Sequence, residues 1–342
     1  MNGALPRDML LRRGMGLAAL LLVSSAAPAQ DSVRDRIRER LESRKDGRGD
    51  AAAPLLLQKG TEARVLEHAG TKRTHLLHLP PETAGRKPLP LVIVLHGMAT
   101  NGAITEKLTG FSALADQKGF AVSYPDGLDK IWRYWGKEDP EFVLAVADRL
   151  IAEGIADRRR VYCTGISNGA YLTNVLVDDH ADRFAAAAAV AGTLLRTRGM
   201  RSRPSRPVPF LYVHGTEDPI VGYDGKDRFS NREMSMSAES FVALRAEQNA
   251  CDAKPGVDLL PDVPEDEGKT KVERRRYVPG KGPSGPRGAG GAEVVFYRVE
   301  GGGHAWPGGS VQPERVLGKT SRDFNASETM WGFFAGQALP EK

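Results

Sequence analysis

Ser167 sits in Gly165-Ile166-Ser167-Asn168-Gly169, a G-x-S-x-G pattern. A serine hydroxyl is a weak nucleophile at neutral pH. It needs a histidine to take its proton and a carboxylate to hold that histidine in the right tautomer. Both residue types follow downstream: Asp218 in Gly215-Thr216-Glu217-Asp218-Pro219, and His304 in a glycine-rich run from Gly301 to Gly309. Groups of these types in this order predict attack on a carbonyl carbon, an acyl-serine, and hydrolysis by water. The anionic intermediate needs two backbone N–H donors. The amide of Asn168, directly after the serine, is one candidate, and the amide of Met98 in His96-Gly97-Met98 is the other. Losing one such donor slows a reaction by about a hundred- to a thousandfold, whereas the Met98 side chain should matter far less. Glu217 is the rival acid, and either carboxylate could instead be a solvated loop residue. The pattern also arises by chance in glycine-rich chains, and this one has 38 glycines.

Context favours the chemical reading. The apolar run Val161-Tyr162-Cys163 predicts a strand, and Ala170 to Val177 predicts a helix. A serine on a sharp strand-to-helix turn is held above a sheet edge, and the new helix aims its free N–H groups at the same spot. Phe210 to His214 is an apolar run ending at the Asp218 loop, Val294 to Val299 precedes His304, and Leu91 to Leu95 precedes Met98. Catalytic groups collect beyond the carboxyl ends of parallel strands. The other histidines have plainer readings. His68, His75 and His78 lie in an amino-terminal hairpin, His180 ends the helix after Ser167, and His96 and His214 are read as structural.

Further strands are predicted near 119–123, 160–165, 185–191 and 271–278. Helices are predicted near 107–118, 140–153, from 168, 236–250 and from Asn325 to Gln337, which opens with the start signal Asn325…Glu328. Phe142, Val146 and Leu150 form a helical stripe that reads as core. This alternation implies a mostly parallel sheet with helices on both faces. Trp306 should wall the cleft beside His304, and Trp132 and Trp135 lie on another strand-end loop. These aromatic residues could bind substrate or fill core.

Five segments resemble one family. They are Leu95-His96-Gly97, Tyr124-Pro125-Asp126-Gly127, Arg160 through the Ser167 turn, His214 to Val221, and Gly301 to Gly308 with its Gly-His-x-Trp-Pro-Gly block. From about residue 60 onward the chain is similar to the poly(3-hydroxybutyrate) depolymerase-like and feruloyl esterase family, carbohydrate esterase family 1. The resemblance implies an α/β-hydrolase fold and a secreted serine esterase with Ser167, Asp218 and His304 as its triad. It implies ester substrates, either a hydroxyalkanoate oligomer or an acyl group on plant polysaccharide, and no cofactor or metal. Two departures stand out. Many relatives pair a cysteine at the Cys251 position with a second one before the last strand, which is missing here. Gly222 stands where a proline is frequent, which implies a looser Asp218 loop.

Arg7, Arg12 and Arg13, the apolar stretch Gly16 to Val23 and the small residues Ala27-Pro28-Ala29 read as a secretory signal over 1–29. The Arg12-Arg13 pair raises twin-arginine export. Residues 30–58 read as a linker, with seven basic and six acidic residues between Asp31 and Asp50. Residues 59–342 read as one catalytic domain. The formal charge of +5 falls to +3 without the leader. No nucleic-acid motif and no membrane span are expected, and the chain is assigned outside the cytoplasm, in the periplasm or the medium. Cys163 and Cys251 are expected to stay unpaired. Two other classes remain open, a serine peptidase and a non-catalytic binding protein on the same fold.

Overall fold

The computed structural model describes residues 57–81, 88–228, 232–264, 269–280, 290–310 and 312–341. The expected leader, and the linker up to residue 56, lie outside the described residues.

Strands β1 (Thr61–His68) and β2 (Thr71–His78) form the expected hairpin. The chain then adds β3 (Leu89–Leu95), β4 (Ala121–Pro125), β5 (Ala156–Ile166), β6 (Ala186–Val190) and β7 (Phe210–Gly215), followed by β8 (Gly256–Leu259), β9 (Lys271–Tyr277) and β10 (Val294–Glu300). All ten pair in one sheet, in the order β1-β2-β4-β3-β5-β6-β7-β10-β9-β8. From β4 across to β10 every neighbouring pair is parallel, and the outer strands on both sides are antiparallel.

β3 is buried along its whole length, so it must be covered on both faces. The helices do this. α1 (Gly102–Thr109), α2 (Phe111–Lys118), α3 (Glu138–Ala152) and α4 (Asn168–Asp179) precede α5 (Ala238–Gln248) and α6 (Ala326–Phe334). Val92 and Val94 point to one face, where Phe111 of α2 and Met330 and Phe334 of α6 pack. Leu91, Ile93 and Leu95 point to the other, against the Phe142, Val146 and Leu150 stripe of α3 and Leu172 and Leu176 of α4. A third cluster sets Phe210 and Tyr212 of β7 against Phe241 and Val242 of α5. The α/β-hydrolase expectation therefore holds.

Some boundaries differ. The helix expected near 107–118 is two helices, split at Gly110. That residue has φ 67°, and its N–H closes α1 on the Glu106 carbonyl. The segment 252–292 does more than the sequence suggests, because it adds both β8 and β9 to the sheet. Cys163 and Cys251 are free, as expected. Burial pushes the Cys163 thiol up to about 12, and the half-buried Cys251 thiol to about 11. No helix among the described residues is long and apolar enough to cross a membrane.

β5, β7 and β10 are parallel members of the sheet, so their carboxyl ends share one edge. Ser167, Asp218 and His304 follow those ends.

Candidate active site

Ser167 joins β5 directly to α4 with φ 56° and ψ −119°, a conformation that non-glycine residues rarely adopt. The turn is possible because Gly165 and Gly169, two residues to either side, carry no side chain. A Cβ on Gly169 would lie 2.3 Å from the Leu95 carbonyl oxygen and 2.6 Å from that of His96, so α4 packs flush against the end of β3. The Ser167 N–H is held by the Val190 carbonyl at 2.9 Å, which ties the turn to β6.

The loop after β3 lies beside this turn. A Cβ built on Gly97 would stand 3.6 Å from the Ser167 Cβ. His96 holds the loop in place. Its Nδ1 lies 2.7 Å from the Gly97 carbonyl, so it donates, and its Nε2 accepts the Gly127 N–H at 2.9 Å. Burial lowers the His96 pKa and keeps the ring neutral. The structural reading of His96 is therefore correct. Asn168 opens α4, so its N–H has no acceptor within the helix. Met98 follows Gly97 and is half-buried. Of the two amides named from the sequence, that of Asn168 lies at the start of α4 and that of Met98 lies one residue beyond Gly97 in the loop after β3.

Asp218 is buried, while Glu217 beside it is exposed. The Asp218 Oδ1 accepts the Ile220 and Val221 N–H groups, each at 2.8 Å, and Oδ2 lies 2.8 Å from His304 Nδ1. Burial alone would raise the Asp218 pKa. The electrostatic interaction with His304, with hydrogen bonds from His214 and His304, outweighs this and holds the carboxyl well below the usual range. The two loops are stitched together. Glu217 N–H donates to Gly302 at 2.9 Å, and Gly301 N–H to the Thr216 hydroxyl at 2.9 Å. A Cβ on Gly303 would sit 2.1 Å from the Leu317 carbonyl, so the His304 loop can press against the segment at 317–319.

Both tryptophans expected to bind substrate are displaced into structural roles. Trp306 has 0% of its surface exposed. It packs edge-on against Phe111 at 6.1 Å and donates its indole N–H to the Ser327 hydroxyl at 3.1 Å. Trp132 also has 0% exposed. Its indole N–H donates to the His96 carbonyl at 3.0 Å, and its ring lies 4.7 Å from the His96 ring. An indole without accessible surface cannot touch a substrate, so neither walls a cleft. Trp135 is different, with 45% exposed. It abuts Tyr134, which stacks on Tyr171, one turn beyond Ser167, at 5.1 Å.

Two arrangements were missed in the sequence. The Asn168 side chain clamps the Trp132 backbone in both directions, with Trp132 N–H to Oδ1 at 2.6 Å and Nδ2 to the Trp132 carbonyl at 3.1 Å. His214 also reaches Asp218. The expected looseness at Gly222 is corrected as well. Its N–H closes a turn on the Lys226 carbonyl at 3.0 Å, and a Cβ there would meet that oxygen at 2.6 Å.

A serine on such a turn, with an aspartate–histidine pair on the same carboxyl edge of this sheet, is the arrangement of serine hydrolases on an α/β-hydrolase fold. Comparison with known proteins narrows the class. The chain is 31% identical over 353 residues to the putative esterase NocK of Nocardia uniformis subsp. tsuyamanensis, covering 95% of this chain and 98% of that protein. It is 33% identical over 142 residues to the bifunctional acetylxylan esterase/xylanase XynS20E of Neocallimastix patriciarum, across 41% of this chain but 21% of that larger protein. Other relatives are named feruloyl esterase and poly(3-hydroxyalkanoate) depolymerase. The solved acetyl xylan esterase from Aspergillus awamori superposes with a TM-score of 0.51 at 14% identity, over 80% of this chain and 99% of that one, which shows the shared fold. The prolyl oligopeptidase family model matches residues 126–204. The chain belongs to the esterase family of feruloyl esterases, acetylxylan esterases and poly(3-hydroxyalkanoate) depolymerases, and it is a serine carboxylic ester hydrolase.

Proposed function

We propose that Ser167 is the nucleophile of this hydrolase, His304 its general base and Asp218 the carboxylate that orients His304. Ser167 Oγ adds to the ester carbonyl carbon while His304 Nε2 takes its proton. The Met98 and Asn168 amides hold the oxyanion. Collapse of the intermediate breaks the carbonyl–alcohol bond, and His304 returns the proton to the leaving alcohol. Water then adds to the acyl-serine carbonyl as His304 takes its proton, the bond from the carbonyl carbon to Ser167 Oγ breaks, His304 returns the proton to Oγ, and the acid leaves. The observation that carries this reading is the 2.8 Å contact between His304 Nδ1 and buried Asp218, which leaves Nε2 free for the proton transfer.

The substrates are carboxylic esters, either a hydroxycinnamoyl or acetyl group on a polysaccharide or a hydroxyalkanoate oligomer. The exposed face of Trp135, with Tyr134 over Tyr171, offers an aromatic surface beside the serine turn in place of the buried Trp132 and Trp306. We assign residues 1–29 as the export leader, which would leave the working enzyme in the periplasm or the medium. Mass spectrometry of the exported chain should then find an amino terminus at Gln30.

Initial rates on methyl ferulate, a short-chain nitrophenyl ester and a hydroxybutyrate oligomer test the site and rank the substrates. Ser167→Ala should lower turnover by about 10⁵-fold with folding intact. Undiminished hydrolysis in a clean preparation of that variant removes Ser167 from the mechanism.

A further inference from the structure

His214 is the next-to-last residue of β7 and is buried. Its Nε2 lies 2.9 Å from the Val221 carbonyl oxygen and 3.3 Å from Asp218 Oδ2. A carbonyl can only accept, so this nitrogen carries the proton and donates. The other ring nitrogen, Nδ1, meets the hydroxyl of Tyr212, two residues back on the same face of the strand. Burial pushes the Tyr212 hydroxyl well above its ordinary pKa, so it keeps its proton and donates to Nδ1. Tyr212, His214, Asp218 and His304 therefore form one linked row. Asp218 Oδ2 lies at the meeting point of two imidazoles, closely bonded to His304 and more loosely to His214.

We infer that His214 is a positioning residue whose Nε2–H shares the Asp218 oxygen used by His304, and thereby sets how tightly Asp218 holds that base. The inference rests on the roles proposed above for Asp218 and His304.

Each donor on a carboxylate reduces its pull on the others. Without the His214 N–H, Asp218 should bind protonated His304 more strongly, and His304 should keep its proton to higher pH. The same N–H ties Asp218 to Val221, so its loss also loosens the loop. Other ionisable groups surround the pair. Tyr171 on α4 bonds Ser235, and Tyr223 lies edge-on to His214 at 5.7 Å with its hydroxyl on Glu239. Arg298 faces His214 across the β7–β10 register, lies over the Tyr223 ring and is paired with Glu300. Glu217 is exposed, and Asp227 lies across an isolated bridge from Val221. Among the described residues, His214 and His304 are the side chains that hydrogen-bond Asp218.

The test is the pH dependence of kcat/KM for the full chain, its His214→Leu and His214→Gln variants, and Ser167→Ala as control. In His214→Leu the acid limb should move up by about half a pH unit or more, and kcat should fall roughly tenfold with KM nearly unchanged. His214→Gln places a carboxamide N–H near the same oxygens and should recover most of both. A folded His214→Leu with the wild-type limb overturns the inference, as does a glutamine variant no better than leucine. If His214→Leu does not fold, Tyr212→Phe replaces it. Loss of the hydroxyl should move the limb the same way by a smaller step, and an unmoved limb overturns the inference. Retained turnover in Ser167→Ala would instead sink the site assignment itself.

Discussion

The serine turn and the aspartate–histidine loops sit on one edge of the same sheet, yet they are held by opposite means. The serine turn is shaped by missing atoms. Gly169 lets α4 approach the end of β3 to a distance that any side chain would block. The Asp218 carboxylate is shaped by added donors, with two backbone N–H groups and two imidazoles around it. The first region is fixed by steric contact, which pH does not alter. The second is fixed by charge and hydrogen bonding, which pH does alter. One should fail when atoms are added, the other when a donor, acceptor or charge is removed.

The largest expected effect falls on the charged side. Asp218→Asn nearly preserves shape but cannot hold the same histidine tautomer, so kcat should fall by about 10³- to 10⁴-fold in a variant that still folds, with some loss of stability at neutral pH because the stabilising charge is gone. A drop of less than tenfold would mean that charge at Asp218 is not what matters. Next comes the crowded side. Gly169→Ala should cost about 3 kcal/mol of stability, read from denaturant midpoints, because the new methyl meets two backbone carbonyls that cannot rotate away. A fully stable Gly169→Ala would show that the contact between α4 and β3 has slack. Trp132→Phe and Trp306→Phe come third. Each leaves a buried polar partner, the His96 carbonyl or the Ser327 hydroxyl, with one bond fewer, at about 1–2 kcal/mol. KM should hardly move in either, and a several-fold rise would restore a binding role.

The smallest effect should appear in stability against pH. The folded-state pKa of Asp218 is lowered well below the ordinary aspartate value of 3.8. Its contribution is therefore fully present above that value and is lost as pH falls below it toward the depressed folded-state pKa. Urea midpoints should drop more steeply below about pH 4 in wild type than in Asp218→Asn. Parallel curves would mean that Asp218 is not held in its charged form.

The same contrast explains what could be read from the sequence. A region built on missing atoms declares itself, because glycines at fixed spacing around Ser167 are visible as letters. Strand ends are equally plain, since β7 and β10 open with the continuous apolar runs Phe210-Leu211-Tyr212-Val213 and Val294-Val295-Phe296-Tyr297, which need cover on both faces. The donor network was not legible. His214 and Asp218 are four residues apart across a strand end, and that spacing does not fix which way an imidazole turns. Trp132 and Trp306 were misplaced because proximity in sequence to a reactive residue says nothing about depth. Their indole N–H partners, His96 and Ser327, come from distant segments. The hinge at Gly110 left only a single glycine inside an otherwise helical pattern.

The segment between α5 and β10 also changes the standing of the strand that carries His304. Without β8 and β9, β10 would be a border strand, with one row of amides open to solvent. With them it is an interior strand, paired with β7 on one side and β9 on the other. Its backbone amides should then exchange with deuterium only through larger, rarer openings, while fraying is passed outward to the exposed β8. The hairpin thus acts as an expendable margin that absorbs local unfolding before it can reach the base of the His304 loop.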